Sequence, residues 1–463
     1  MTPGARLQMA IELLADIATI PRPADAVASA YFRARRFVGA KDRGAVAEIV
    51  FTVLRCDARL RWWLKWADHP DPNDARARVI AQALLGEKAA ESGRRAASVA
   101  RLFDGGRFSP PPFSPAETRL AEALDQHTLE HPGMPEAVRV ECPEWAEAGL
   151  RRALGGRFVP EMEVMTGSAP LDLRVNPLRS TREAVLSGLA AAGIEARACR
   201  LSPLGVRVEG RPAIAALQLF QTGAIEIQDE GSQLVALLAD ARPGQQVVDF
   251  CAGAGGKTLA MAAAMNNRGR VIACDVLGNR LKRAAERIRR AGLHNIETRT
   301  LSSARDPWVK RHKASFDRVL VDAPCSGTGT WRRNPDSRWR PLGPGLEQLI
   351  PLQAELLDSA SRLVKPGGRL IYATCSLLLE ENEDQIDAFL ANHPEFTPLP
   401  QAEVWPAILG GPSPLEGRWL RLSPARHDTD GFFAAILTRK GEEAKTAAPP
   451  LDPSSPPDPS PEA

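Results

Sequence analysis

Two short stretches carry cysteines in positions suited to chemistry: Asp322-Ala323-Pro324-Cys325-Ser326-Gly327 and Thr374-Cys375-Ser376. A cysteine thiolate is a good nucleophile and can split one hard step into two easier ones. Each stretch follows a run, Phe316 to Asp322 and Arg369 to Ala373, that reads as a buried strand. Ends of parallel strands open on one crevice, so both thiols and Asp322 should meet there. A lone cysteine after a strand is more often a small, inert core residue. Two of them beside an acid favour function.

A third stretch is Asp249-Phe250-Cys251-Ala252-Gly253-Ala254-Gly255-Gly256-Lys257-Thr258. It sits between a strand and a helix, where glycines let the backbone approach a ligand and the helix start offers free N–H groups. Asp275 ends the next strand, where an acid can bond ribose hydroxyls. A merely structural glycine turn competes evenly with this reading. A triphosphate-binding loop does not: that motif requires a glycine where this chain has Cys251.

The elements that must position these residues run from about residue 226 to 440, where strands alternate with helices. That pattern implies a doubly wound, mostly parallel sheet. Before it, residues 1–135 show apolar positions at helical spacing, such as Leu7, Ile11 and Leu14, and read as all-helical. Residues 140–225 read as a small α+β module, with Leu171 to Val175 alternating like a half-buried strand. The stretch 441–463 is rich in proline and serine and is expected to be disordered. A net charge of +3 says little about partners. Seven cysteines without a CxxC pair argue against a zinc or redox motif, so no metal is expected. No apolar run suits a membrane span, and a cytoplasmic monomer is expected.

Together, DAPCSGTG, ATCS and the glycine loop resemble the RNA cytosine-5 methyltransferases of the bacterial Sun/Fmu type, related to the Nop2/NSUN proteins. The resemblance covers roughly residues 1 to 440. It implies a Rossmann-like class I methyltransferase core, S-adenosylmethionine as cofactor and a front domain similar to NusB that binds RNA. By the same resemblance, Cys251, Ala252, Gly253, Ala254, Gly255, Gly256 and Lys257 line the cofactor and Asp275 holds its ribose. Asp322 lies beside cofactor and base, Cys375 is the nucleophile and Cys325 assists product release. Arg280 stands where the family keeps a basic residue. Two departures stand out. Gly253-Ala254 replaces the family's Ala-Pro, and Ser303 stands where an acid usually contacts adenine, unless Asp306 substitutes.

The expected substrate is small-subunit ribosomal RNA. Transfer RNA, DNA cytosine-5 methylation and a non-catalytic assembly role are the alternatives. Carbon 5 of cytosine is a poor nucleophile until sulfur adds to carbon 6, which calls for a thiolate at Cys375 and a proton for ring N3, assigned to Asp322. Arg332 and Arg333 are candidates to hold phosphates, whereas Arg174 and Asn176 suit contact with RNA and a structural role equally. Two basic groups of the helical region are also candidates to bind RNA: Arg33, Arg35, Arg36, Lys41 and Arg43, and Arg55, Arg59, Arg61 and Lys65, the latter interleaved with Trp62, Trp63 and Trp66. Tryptophans at helical spacing also fill cores, and at least one should.

Overall fold

A computed structural model describes residues 1–86, 95–340 and 342–441. The proline-rich stretch expected to be disordered lies outside them, apart from Gly441. The described chain opens with helices that include Pro3–Thr19, Ala24–Ala34, Ala40–Arg55, Asp57–Trp66, Ala75–Leu85 and Pro115–Leu124. Ser114 begins the last with a capping box: its side chain accepts from Glu117 N, and the Glu117 carboxylate accepts from Ser114 N. Leu13, Val50, Trp63 and Ile80 meet in one core. Trp63 is fully buried, and its indole N–H donates to Leu129 O at 3.0 Å.

The small module follows, built from β1 (Leu171–Val175), β2 (Ala196–Ala198), β3 (Gly205–Val208) and β4 (Ile225–Ile227). They form one antiparallel sheet in the order β2-β3-β1-β4, covered by the helix Arg182–Ala191. The alternation in β1 predicts one wet face, but all five residues are buried. Its polar side faces the rest of the chain. Asp172 takes two bonds from Arg207, at 2.7 and 3.0 Å, and Arg174 donates to Gly256 O at 2.7 Å. Buried charges are tolerated only when so paired. Asn176 donates to Gly223 O and Ala291 O, both at 3.0 Å. Arg174 and Asn176 therefore join the module to the core and are not free to touch RNA.

The larger sheet comprises β5 (Gln246–Asp249), β6 (Arg270–Asp275), β7 (Ile296–Thr300), β8 (Phe316–Asp322), β9 (Val364–Thr374), β10 (Phe396–Pro398), β11 (Leu420–Leu422) and β12 (Phe432–Arg439). Its order is β10-β12-β9-β8-β5-β6-β7, with β11 on β12. The run β9-β8-β5-β6-β7 is parallel, and β10, β11 and β12 pair antiparallel at one edge. The strands are apolar on both sides because helices cover both faces. Val247, Val271, Leu320 and Ile371 feed one core cluster; Val248, Ile272, Val319 and Leu370 feed the other. This is the doubly wound, Rossmann-like architecture implied by the alternating pattern. Among the described residues, no helix is long and apolar enough to cross a membrane, and no cluster suits a metal ion.

Candidate active site

The carboxyl ends of β5, β6, β8 and β9 open into one cleft of 1290 Å³. Cys251, Ala252, Gly253, Ala254, Gly256 and Lys257 line it, with Asp275, Arg280, Ser303, Asp322, Cys325 and Cys375. Gly255 is the exception among the loop residues. It adopts φ +82° as the cap of the helix Gly256–Ala264, and a Cβ there would meet Leu259 and Ala284 at 3.0 Å. It turns the chain from behind rather than facing the cleft.

Backbone and one acid shape the cofactor side. Asp275 accepts from Gly253 N and Leu277 N, both at 2.8 Å, and lies 3.5 Å from the Arg280 guanidinium. Val276 and Leu277 follow it into the cleft and are more than half exposed. An acid beside an uncovered apolar wall and close-approach glycines suits a ribose carrying an adenine. Ser303 reaches this wall. Asp306 does not: it accepts from Ser302 N and Trp308 N at 2.9 and 2.8 Å, capping the helix Pro307–Arg311. Those bonds hold its carboxyl down at about 2.

The other side is charged. Lys257 Nζ lies 2.7 Å from Asp322 Oδ2. Burial works against the lysine charge, yet Asp322, with Cys375 and Asp249 beyond, outweighs it and raises the ammonium above its ordinary range. Beneath the loop, burial pushes Asp249 up to about 7, against the 2.6 Å bond it accepts from Thr258.

The two thiols lie 3.4 Å apart, Sγ to Sγ. Their hydrogen bond, then burial, raises Cys325 well above the usual thiol range. The loops bearing them are pinned by side chains that local sequence did not flag. Glu381, fully buried, accepts from Ser326 N at 2.8 Å and Gln353 Nε2 at 2.9 Å. Gln353 also donates to Pro324 O at 2.9 Å. Ser376 Oγ lies 3.2 Å from Ser326 Oγ and 3.1 Å from Thr328 Oγ1, tying one loop to the other. Asn382 Nδ2 donates to Ser376 O at 2.9 Å. Nothing in the local sequence marks Gln353, Glu381 or Asn382 for this role.

Two expectations are corrected. Arg332 is buried, donating to Thr429 O at 2.7 Å, and Arg333 pairs with Asp430 at 2.8 Å and Asp229 at 3.4 Å. Both bind the chain to itself rather than phosphate. In the second basic group of the helical region, Arg59 pairs with Glu141 and Glu130 and Arg61 with Asp57, so these two are not free for phosphate, while Lys65 stays exposed.

A doubly wound sheet with a glycine loop after one strand and an acid ending the next is a site for a nucleoside-bearing cofactor, and the relatives of this chain make it an S-adenosylmethionine-dependent methyltransferase. The model of the 16S rRNA methyltransferase RsmB/F matches residues 236–438, and that of the RsmF/B-like ferredoxin-like domain matches residues 142–215. The chain is 38% identical over 321 residues to the probable ribosomal RNA small subunit methyltransferase B of Synechocystis, covering 69% of this chain and 71% of that one. It is 37% identical over 314 residues to the corresponding probable enzyme of Bacillus subtilis, covering 68% and 70%. Among solved structures, PH0851 superposes with a TM-score of 0.74 at 28% identity, covering 94% of this chain and 99% of that one. The chain belongs to the RsmB/F methyltransferase family.

Proposed function

We propose that this enzyme methylates carbon 5 of a cytosine in small-subunit ribosomal RNA through a covalent bond between Cys375 and carbon 6 of the ring. The pair of thiols in the same cleft as the cofactor loop carries this reading; the names of the relatives support the ribosomal substrate. S-adenosylmethionine supplies the methyl group from its sulfonium. Cys251, Ala252, Gly253, Ala254, Gly256 and Lys257, with Asp275, Arg280 and Ser303, would hold it.

The Cys375 thiolate forms the S–C6 bond, and the displaced ring electrons move toward N3. N3 takes up a proton from Asp322, which draws it from the Lys257 ammonium 2.7 Å away. Carbon 5, now electron-rich, accepts the methyl group. Solvent water takes the carbon-5 proton, the C5–C6 double bond re-forms as Cys375 leaves as thiolate, and N3 returns its proton to the Asp322–Lys257 pair. Cys325, held protonated beside it, assists that release.

The target base must leave its stack to enter such a cleft. The helical region serves this by holding RNA. There, Arg33, Arg36 and Lys41 stand exposed around Phe37, itself 82% exposed, an arrangement suited to phosphates and a stacked base.

The test is methyl transfer from labelled S-adenosylmethionine to unmodified small-subunit ribosomal RNA, with transfer RNA alongside and the modified base mapped. Label at carbon 5 of a ribosomal cytosine is expected. Label confined to transfer RNA would move the substrate, and label at another atom would remove the chemistry.

A further inference from the structure

Where the helical region meets the catalytic core lies a second cavity of 420 Å³. Ala18, Thr19 and Ile20 form its rim at the end of the first helix, and Arg61 and Arg78 belong to its helical side. Trp339 and Arg340 come from the core. These last two, with Leu342, also line the active-site cleft, so the two spaces share a wall. The seam is fixed at this point. Ala24 N donates to Asp336 at 3.0 Å, and Arg340 donates to Arg22 O at 2.9 Å.

The chemistry of the lining points to a ligand. Arg78 is 4% exposed and its Nε has no partner, and the indole N–H of Trp339 is likewise buried and unpaired. Buried donors without acceptors are costly and are rarely left so. Both suit carbonyl or phosphate oxygens. The remaining lining offers an indole face, and its three cations are paired within the wall: Arg78 and Arg61 with Asp57, at 2.5 and 2.7 Å, and Arg340 with Asp336 at 3.0 Å. The volume lies in the range of pockets for one small ligand, too little for a peptide segment or a helix.

We infer that this seam pocket binds a single unpaired nucleotide of the substrate RNA, one flanking the target cytosine, with its base against Trp339. The inference rests on the RNA-methylating reading above. Because Trp339, Arg340 and Leu342 line both spaces, a strand leaving the target base would reach the seam past Trp339. The pocket would thus read a neighbour of the target and couple the helical region's hold on RNA to placement of the cytosine.

The test fills the pocket from its exposed rim. Ala18→Trp should weaken binding of an unmodified small-subunit ribosomal RNA transcript about tenfold, the scale of losing one stacked base. Affinity for S-adenosylmethionine should not change. Ala190→Trp, exposed on the helix of the small module and outside both cavities, should leave RNA binding as in the wild type. If Ala18→Trp lowers the melting temperature, Thr19→Trp on the same rim replaces it. RNA containing 4-thiouridine beside the target should crosslink to the peptide carrying Trp339. Wild-type RNA affinity in the filled variants would overturn the inference while leaving the methylation assay intact. Absence of methyl transfer by the wild type would instead overturn the reading on which it rests.

Discussion

Two loops meet in one cleft and are held in opposite ways. The glycine loop, Cys251 to Lys257, is shaped by its own backbone: positive φ at Gly253 and Gly255, and one carboxylate, Asp275, at the end of the adjacent strand. The cysteine loops are held by buried polar side chains outside them. Gln353 and Glu381 hold Cys325's loop from residues beyond it, and Asn382 holds the loop of Cys375. A loop built on backbone can tolerate changes in side chains; a loop built on buried polar partners depends on each of them.

The largest effect should come from the thiols themselves. Cys375→Ala should reduce methyl transfer at least roughly 10³-fold, as loss of a covalent nucleophile does, and abolish the protein–RNA adduct. Cys325→Ala should instead accumulate that adduct on denaturing gels. An adduct in Cys375→Ala would reverse the two roles.

Glu381→Gln comes next and tests the comparison directly. It puts an amide where Gln353 and Ser326 donate, so the Cys325 loop should shift. A misplacement of about 1 Å can cost on the order of 100-fold in rate. We expect kcat to fall about 10- to 100-fold while S-adenosylmethionine affinity stays within about twofold. Equal losses in both would mean that the loops are not held independently.

Gly255→Ala tests the other half. The new Cβ meets Leu259 and Ala284, and φ +82° is unfavourable for alanine by about 1–2 kcal/mol. Cofactor affinity should drop by up to about tenfold. The adduct trapped by Cys325→Ala should still form at saturating cofactor.

The same contrast explains what the sequence made legible. The alternation of strands and helices, the glycine loop, Asp275 and the two cysteines are local patterns, and each was readable from its neighbours. Arg332 and Arg333 were misread because a basic pair near a motif looks the same whether it faces phosphate or Asp428, Thr429 and Asp430, which lie far along the chain. Gly255 was assigned to the cleft because loop membership does not fix which way a residue faces. Trp63 and Trp66 differ by three positions, yet one is fully buried and the other 44% exposed. Spacing placed them on one helix but gave no measure of how deep that face sits.

Asp249 gives the smallest expected effect and tests how far the glycine loop supports itself. Its carboxyl lies buried below the loop, bonded by Thr258 and otherwise without a partner for Oδ1. Burial raises it to about 7 from an ordinary value of 3.8. The sign follows from the raised value. Below about pH 4 both folded and unfolded chains carry the proton, and its contribution to stability is fully present. As pH rises toward 7 the unfolded chain ionises first, so stability is lost across that window. Asp249→Asn keeps an acceptor for Thr258 and removes the titration. Its melting temperature relative to the wild type should therefore increase between pH 5 and pH 8, by about 3 °C if one kcal/mol is recovered. A difference that stays constant across that range would mean that Asp249 does not titrate there, and that the loop rests on backbone alone.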